Sequence, residues 1–519
     1  MNFDDFLQEI VLFINKAREG TEDDISRQTA EKNIAAYHAL AKANKGEPYP
    51  SLKKAIGEDW ELYCLVLSAI LYITKDEDCL EEIENIILRP DLDLFTVCSI
   101  VYQLNRIRFL DSSLKTSYSR SREINRHWLE RYEKEYPLQI PFLPYEKRNK
   151  KRIIIETDTF LGYYHAPTRL ICDICRTLIR DMGYEVFLFV NVEAPNWEWT
   201  EQFWLFPSAS NYRQDSMGRF SMRYEDVVIQ GYQLMWSRNA MGEMQQLVKA
   251  LYEWSPLCVW NIGGTGYRHD SLRQLTTVLS MPCADGYSVS EAPVLVSYMQ
   301  SDSPYVKESV DYAQQSKQKL LNINLAMEFK EEGKNYQKED FGIPKDAFAI
   351  SIVGNRLDAE VSEEFEQMLE EVAKHIDRIY FVMIGKCEEK FFKNIEKDRV
   401  KYLGWRTDLV DVIKMTDLFV NPPRKGGGGG GVRAISVGVP VVTLPYCDVA
   451  NLVGEAFHCE DLSEMQKLIY QYETDAAFYK SQQEKVKIKH RESMSNDNVD
   501  TLEKMLQQVN NWLEEGEIS

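Results

Sequence analysis

No apolar run in the 519 residues is long enough to cross a bilayer. The longest, LYCLVLSAILYI at 62–73, falls well short of the roughly 20 residues a spanning helix needs and reads as a buried helix. Positive charge is in short supply. Lys and Arg total 61 against 81 Asp and Glu, a formal net charge of −20. That balance excludes a general nucleic-acid or anionic-membrane binder, though a local basic site fits inside an acidic protein. The start, MNFDDFLQEI, is acidic and has no apolar h-region, so a secretory signal is not expected. The ten cysteines lack framework spacing. Cys172 and Cys175 form a lone CxxC inside a predicted helix with no second pair, and buried thiols explain them more simply than zinc or redox chemistry. A reducing cytoplasm is the expected location.

An apolar fraction of 44% with 12% aromatics is enough for well-packed globular cores, and the length implies two or three domains. Residues 1–136 read as an all-helical N-terminal domain. FDDFLQEIVLFINKA, SRQTAEKNIAAYHALAKA, WELYCLVLSAILYI and REINRHWLERYEKEY carry apolar residues three and four apart. There is no clean 34-residue repeat. Proline-rich and then basic, PLQIPFLPYEKRNKK at 137–151 marks a boundary. Beyond it the period changes. RIIIET, the loop DTFLGYYHAPTR, the helix pattern LICDICRTLIRDMG and YEVFLFVN make a βαβ unit. PLCVWNIGG and APVLVSYMQ add strands, giving one α/β domain over 152–325. A second, over 326–490, runs FAISIVGNRL, SEEFEQMLEEVAKHI, RIYFVMIG, VKYLGW, DLVDVIKMT, LFVNPP and PVVTLP. Strands alternating with helices imply parallel, doubly wound sheets, which bind ligands beyond their strand C-termini. A last amphipathic helix occupies 491–519.

The most informative stretch is Lys425-Gly426-Gly427-Gly428-Gly429-Gly430-Gly431-Val432-Arg433, between LFVNPP and PVVTLP. A glycine loop between strand and short helix lets backbone N–H groups approach an anion, and the helix start adds its dipole. Lys425 and Arg433 bracket it with full charges, so a diphosphate is the expected ligand. A flexible linker is the alternative. The compact β-rich flanks weigh against it.

Three segments resemble the GT-B glycosyltransferases. Gly354-Asn355-Arg356-Leu357 is similar to the Gly-Arg-Leu of the family's donor loop. YLGW followed by TDLFVNPPRKGGGGGGVRAISVGVPVV is similar to the family's donor core with its Gly-x-Pro-Val-Val. TDTFLGYYHAPTR resembles the first loop of the N-terminal domain, and its His165-x-Pro-Thr is similar to O-linked N-acetylglucosamine transferases, which also carry a helical N-terminal extension. The resemblance implies two Rossmann-like doubly wound domains preceded by the helical one. It implies a nucleotide-sugar donor, with UDP the expected nucleotide, as co-substrate and no cofactor. Two departures stand out. Where many retaining members have Glu, seven residues, Glu, this chain has Lys425 and Arg433, and DAEVSEE replaces the Lys that usually follows Gly-Arg-Leu. Either the positive charge has moved between loops, or donor binding has decayed.

Sugar transfer needs stabilisation of the leaving diphosphate and, in inverting enzymes, a base for the acceptor. Gly354, Asn355, Arg356, Asn421, Arg424, Lys425, Gly426, Gly427, Gly428, Gly429, Gly430 and Arg433 are the candidates for donor binding. No Asp-x-Asp pair is placed to hold a metal, and none is expected. His165, at a helix start that lowers its pKa, is the candidate base, with a capping role as the alternative. Asp158 on the same loop reads as base, orienter or solvated cap. His269, after NIGGTGYR, reads as a ligand contact or a surface residue. Arg356 and Asn355 also fit a surface ion pair, and Asn421 a turn before Pro-Pro. Asp448 and Asn451 fit sugar contact or helix capping. The tryptophans of NWEWTEQFWLF fit a stacking wall or core. The leading reading is a cytoplasmic glycosyltransferase acting on a glycan or protein acceptor, with no nucleic-acid partner, no membrane-spanning segment, and the helical domain available for homo-oligomer contacts. The alternatives are a non-catalytic partner subunit and, less well supplied with carboxylates, a nucleotide-sugar epimerase.

Overall fold

The computed structural model describes residues 3–519 except 20, 22, 45, 111–113, 115–116, 163–164, 193–215, 238–239, 265, 299–302, 327–331, 388–390, 425 and 495–496. The chain is α/β, with an all-helical N-terminal region ahead of Rossmann-like sheets. It divides into two compact units. The first is Met1–Leu161, Val186–Val278 and Val289–Ala292; the second is Gly162–Glu185, Leu279–Ser288 and Pro293–Ser519.

In the first unit, helices Phe3–Arg18, Asp24–Ala43, Pro48–Ile56, Trp60–Thr74, Glu77–Ile87, Leu94–Leu110 and Tyr118–Glu135 share one apolar core. Local chemistry sets their ends. Asp23 and Ser26 form a reciprocal capping box, Pro48 opens its helix, and Lys75 closes one in the left-handed region at φ 55. The run LYCLVLSAILYI lies within a buried helix, as its length predicts. Among the described residues no helix is long and apolar enough to cross a membrane.

Strands β1 (Asn149–Thr157), β2 (Glu185–Val192), β3 (Gly218–Tyr224), β4 (Val227–Met235) and β5 (Pro256–Ile262) run in the order β3-β4-β2-β1-β5. β3 and β4 pair antiparallel, whereas β4–β2 and β1–β5 are parallel. The helical core extends to Trp236 and Tyr267, which follow β4 and β5. Polar ties join the same surfaces: Asn125 to Asp270 at 2.7 Å, Arg122 to Glu291 at 2.9 Å and Arg273 to Glu133 at 2.8 Å. The helical region is therefore packed onto the strand-bearing part of its own unit.

The second unit carries β6 (Val278–Met281), β7 (Val294–Ser297) and β8 (Lys319–Asn322), parallel and adjacent in that order. It also carries a five-stranded parallel sheet of β9 (Phe348–Val353), β10 (Ile379–Ile384), β11 (Val400–Tyr402), β12 (Leu418–Val420) and β13 (Val441–Val442), ordered β11-β10-β9-β12-β13. Alternate side chains feed two cores. Ile350, Ile352, Phe381 and Met383 face one, and Ala349, Val382, Ile384 and Phe419 face the other. That is the burial a sheet covered by helices on both faces requires. From β9 the chain winds outward through β10 and β11, then returns through β12 on the other side of β9. The strand order thus reverses between β9 and β12, so a ligand site is expected beyond their C-terminal ends.

Candidate functional site

The residues following β9 and β12 are Gly354-Asn355-Arg356 and Asn421 onward, the segments the sequence singles out. Arg424 ties them together. Its Nε donates to Asn421 Oδ1 at 2.8 Å, its Nη2 to the Val353 carbonyl at 2.8 Å, and its Nη1 pairs with Glu360 at 2.7 Å. Asn421, 1% exposed, uses its amide hydrogens on Thr443 Oγ1 and Cys447 Sγ. Both side chains are fully engaged in joining strand ends, which is a scaffolding role. Arg356 is more exposed and shares Glu360 at 2.8 Å, so the ion-pair alternative describes its present contact. Asn355 is exposed. A Cβ at Gly354 would lie 2.6 Å from Arg424 Nη1, so this glycine makes room for the arginine clasp.

The glycine run departs from expectation. It is not a loop ahead of a helix: the helix Gly428–Ser436 begins inside the run, leaving only Gly426 and Gly427 before it among the described residues. Gly427 is the N-cap at φ 97, and a Cβ there would strike the Arg424 guanidinium at 2.5 Å. The helical glycines answer to close packing. A Cβ at Gly428 would sit 2.6 Å from Leu452, at Gly430 3.1 Å from Phe419, and at Gly431 2.6 Å from Val449. Glycine costs about 1 kcal/mol relative to alanine inside a helix, so tertiary contact overrides propensity here. The outcome still presents a helix N-terminus at the sheet's switch point. Lys425 lies outside the described residues, as do the tryptophans Trp197, Trp199 and Trp204.

Arg433 turns back along this helix, its Nη1 donating to the Gly429 carbonyl at 2.8 Å. Burial first, and then the neighbouring Arg169, pull its pKa down to about 10, leaving it a cation near neutrality. A Cβ at Gly429 would be 3.6 Å from Ala166, so the start of the helix Ala166–Arg176 lies against the glycine helix. His165 is that second helix's N-cap, with Nδ1 3.0 Å from Thr168 Oγ1. Among the described residues its Nε2 has no hydrogen-bond partner. Burial, followed by Arg356, lowers its pKa to about 4, so it is neutral at physiological pH. The direction matches the sequence reading, but desolvation and an arginine are the causes. The sequence reading also assigns His165 to the first α/β domain; residues 162–185 in fact cluster with the second unit, beside the glycine helix.

Asp448 packs against the first residue of the glycine helix. A Cβ at Gly428 would be 3.2 Å from its Cβ. Its pKa is pushed up to about 7 by burial and then by Asp285, against the opposing pull of Arg424 and Arg356. The capping alternative does not describe it: the N-cap of its helix is Cys447, with no side-chain cap bond. Asn451 lies half-buried in the same helix, Asp448–Val453.

His269 belongs to the first unit and is not a surface residue. It is 1% exposed and Glu156 is 0% exposed. Its Nδ1 lies 2.9 Å from Glu156 Oε1, and Arg268 Nη2 lies 2.8 Å from its Nε2. An arginine can only donate, so Nε2 accepts and Nδ1–H donates to the carboxylate. Asn191 on β2 and Asn261, paired with Glu156 across β1 and β5, donate to the same carboxylate at 3.0 and 3.4 Å. Asp158, just past β1, is half-buried. All ten cysteines are free, and Cys172 and Cys175 are buried.

Sequence reasoning missed Arg169 and Asp285. Arg169 ends the TDTFLGYYHAPTR segment, and only its packing beside Arg433 marks it; Asp285 carries no motif and is brought near Asp448 from a segment distant in the chain.

Residues 348–475, covering the five-stranded sheet, match the family model described as Glycosyl transferases group 1. No curated protein matches the chain by sequence. Among solved structures, a mutant of the O-GlcNAc transferase of Thermobaculum terrenum aligns at 13% identity over 99% of this chain and 98% of its own, with a TM-score of 0.52. Anabaena HepE in complex with UDP aligns at 11% identity over 70% of this chain and 99% of its own, TM-score 0.46. An alpha,alpha-trehalose-phosphate synthase (UDP-forming) from Burkholderia vietnamiensis aligns at 10% identity over 69% and 99%, TM-score 0.47. The first likeness shows a shared fold across the whole chain; the other two are weaker and add nothing to it.

Proposed function

We propose, on the premise that this chain is a glycosyltransferase of the GT-B fold, that it transfers a sugar from a nucleoside-diphosphate donor to a glycan or protein hydroxyl without a metal ion. The observation that carries this reading is Arg433. It is desolvated, it has Arg169 as a neighbour, and it lies along a helix whose first turn bears no side chains. Burial and like charge both oppose such a cation, and a bound diphosphate relieves both. The helix N-terminus adds backbone N–H groups and a positive dipole on the same side. Such fixed donors can hold a leaving diphosphate without further reorganisation. Arg356 and Lys425 are the additional cations of the proposed donor site, and Arg424 and Asn421 are its supports. His165 is the proposed acceptor base, because it is held neutral and one ring nitrogen is open among the described residues. UDP is the first nucleotide to test, from the resemblance of the His165 loop.

The alternative, a partner subunit that has lost turnover, is favoured by one specific feature. Both positions that carry Glu in many retaining relatives are cationic here, Lys425 and Arg433. Calorimetry with UDP and with GDP, each with and without EDTA, tests donor binding, and Arg433→Glu tests the assignment. A like charge about 4 Å from the diphosphate costs on the order of 1–4 kcal/mol, or tenfold to several hundredfold in affinity. No binding of either nucleotide, loss of binding in EDTA, or full affinity in Arg433→Glu would each count against the reading. Binding with no hydrolysis and no transfer to any acceptor mixture would favour the partner subunit.

A further inference from the structure

Asp448 is a half-buried carboxylate that forms no hydrogen bond or ion pair among the described residues. Its charged neighbours are Asp285, which repels it, and Arg424 and Arg356, which attract it. Arg424 is already committed to Asn421, Val353 and Glu360, and Arg356 to Glu360. The half-buried Tyr298 is a further neighbour of Asp448. Desolvating a carboxylate without donors is costly, and a second carboxylate beside it raises the cost. Helix capping would be the usual compensation, and it is not made.

Position says what could supply the missing donors. Asp448 packs against Gly428, the first residue of the helix whose N-terminus is the proposed diphosphate site. The glycosyl group of a nucleotide sugar hangs directly on that diphosphate. Its ring hydroxyls are hydrogen-bond donors without charge, which a carboxylate can accept. A carboxyl titrating near neutrality can also return a hydrogen bond to a hydroxyl oxygen.

We propose that Asp448 and Asp285 form the sugar-reading pair of the donor site, selecting a neutral hexose or hexosamine over a uronic acid. This rests on the donor-site reading above. Arg433 then holds phosphate, and the carboxylates that read the sugar come from the loop before Gly286 and the helix after β13. A uronate carboxylate would meet like charge there, whereas a neutral pyranose meets acceptors.

The test is calorimetric titration of the full chain, in EDTA, with UDP, UDP-glucose, UDP-N-acetylglucosamine and UDP-glucuronic acid. It compares the wild type with Asp448→Asn and, as an independent variant, Asp285→Asn. The wild type should bind a neutral UDP-sugar at least tenfold more tightly than UDP-glucuronic acid. Each variant should lose about tenfold in affinity for the neutral UDP-sugar, the size of a lost charge-assisted hydrogen bond, with UDP affinity changed by less than about twofold. The gap to UDP-glucuronic acid should narrow. Unchanged neutral-sugar affinity in both variants, with UDP still bound, overturns the sugar-reading pair alone, as does a parallel fall for UDP and UDP-sugar. A wild type that binds no nucleoside diphosphate is a different result: it overturns the donor-site reading, and this inference with it.

Discussion

Two histidines follow strand ends in this protein and meet opposite environments. His269, after β5, is enclosed by groups that answer it. Glu156 accepts from one ring nitrogen, Arg268 donates to the other, and Asn191 and Asn261 complete the carboxylate. His165, after β1, has a single hydroxyl partner, a nearby arginine that opposes its protonation, and an open ring nitrogen among the described residues. The contrast extends to the neighbours. Around His269 donors and acceptors are matched and buried, whereas beside the His165 helix Arg169 and Arg433 oppose one another, and Asp448, against the start of the glycine helix, forms no hydrogen bond among the described residues. A matched buried network stabilises a fold and has little left to offer a ligand. A cluster held against its own electrostatics is where a ligand would complete the balance.

Removing each histidine's function in turn puts that contrast at risk. His165→Ala should lower sugar transfer by about 10²–10⁴, the usual contribution of a general base, with nucleotide affinity nearly unchanged. Its pKa near 4 also sets the pH profile. The base must be neutral, so activity should hold as pH falls through about 6.5, where a free histidine would protonate, and decline only toward about 4. Stability has the same sign: the unfolded chain takes up this proton first, so lowering pH from about 6.5 toward 4 destabilises the fold. Pre-steady-state transfer assays across pH 3.5–8 read the limb. A midpoint near 6.5, or loss of nucleotide binding in the variant, would remove His165 from the acceptor role.

The matched cluster should answer differently. Glu156→Gln withdraws the only buried anion among the described partners of His269. The amide puts an NH2 where the donors of His269, Asn191 and Asn261 converge, and a buried donor left unsatisfied typically costs about 1–3 kcal/mol. Denaturant unfolding should show that loss, while the folded fraction binds diphosphate as before. If diphosphate affinity collapses and stability does not move, the two clusters are not divided into scaffold and site as argued.

Much of this architecture is legible in the residues. The apolar runs that became β9, β10 and β12 have the length and β-branched content of buried parallel strands, and the helical periodicity over 1–136 is explicit. The β3–β4 hairpin is not announced in the same way. Its alternation is present, with Val227, Ile229 and Gly231 facing in, but the chain around it carries no helix-to-strand rhythm to frame it. The glycine helix could not be read because glycine disfavours helices, and its reasons lie in Phe419, Leu452 and Val449, which only the packed structure brings near. The approach of His165 to that helix is a tertiary fact of the same kind, as is the meeting of Asp448 with Asp285.

The smallest expected effect tests that packing account from within. Gly429 differs from its neighbours in the run. A Cβ there meets only the far end of Arg433, Nη1 at 2.9 Å, and Ala166 at an ordinary 3.6 Å. At Gly431 it meets Val449 at 2.6 Å and Val453 at 3.2 Å, which are fixed by the helix behind. Gly429→Ala should therefore leave stability unchanged or raise it by up to about 1 kcal/mol, because alanine is the better helix former and the guanidinium can swing away. That swing is the point of the experiment. If Arg433 holds the diphosphate, displacing it should weaken UDP by a few-fold while the melting temperature holds or rises. Gly431→Ala should instead lower the melting temperature. A stabilised Gly429→Ala with undiminished UDP affinity would mean that the backbone of the glycine helix binds the anion and that Arg433 serves only to close the turn on Gly429.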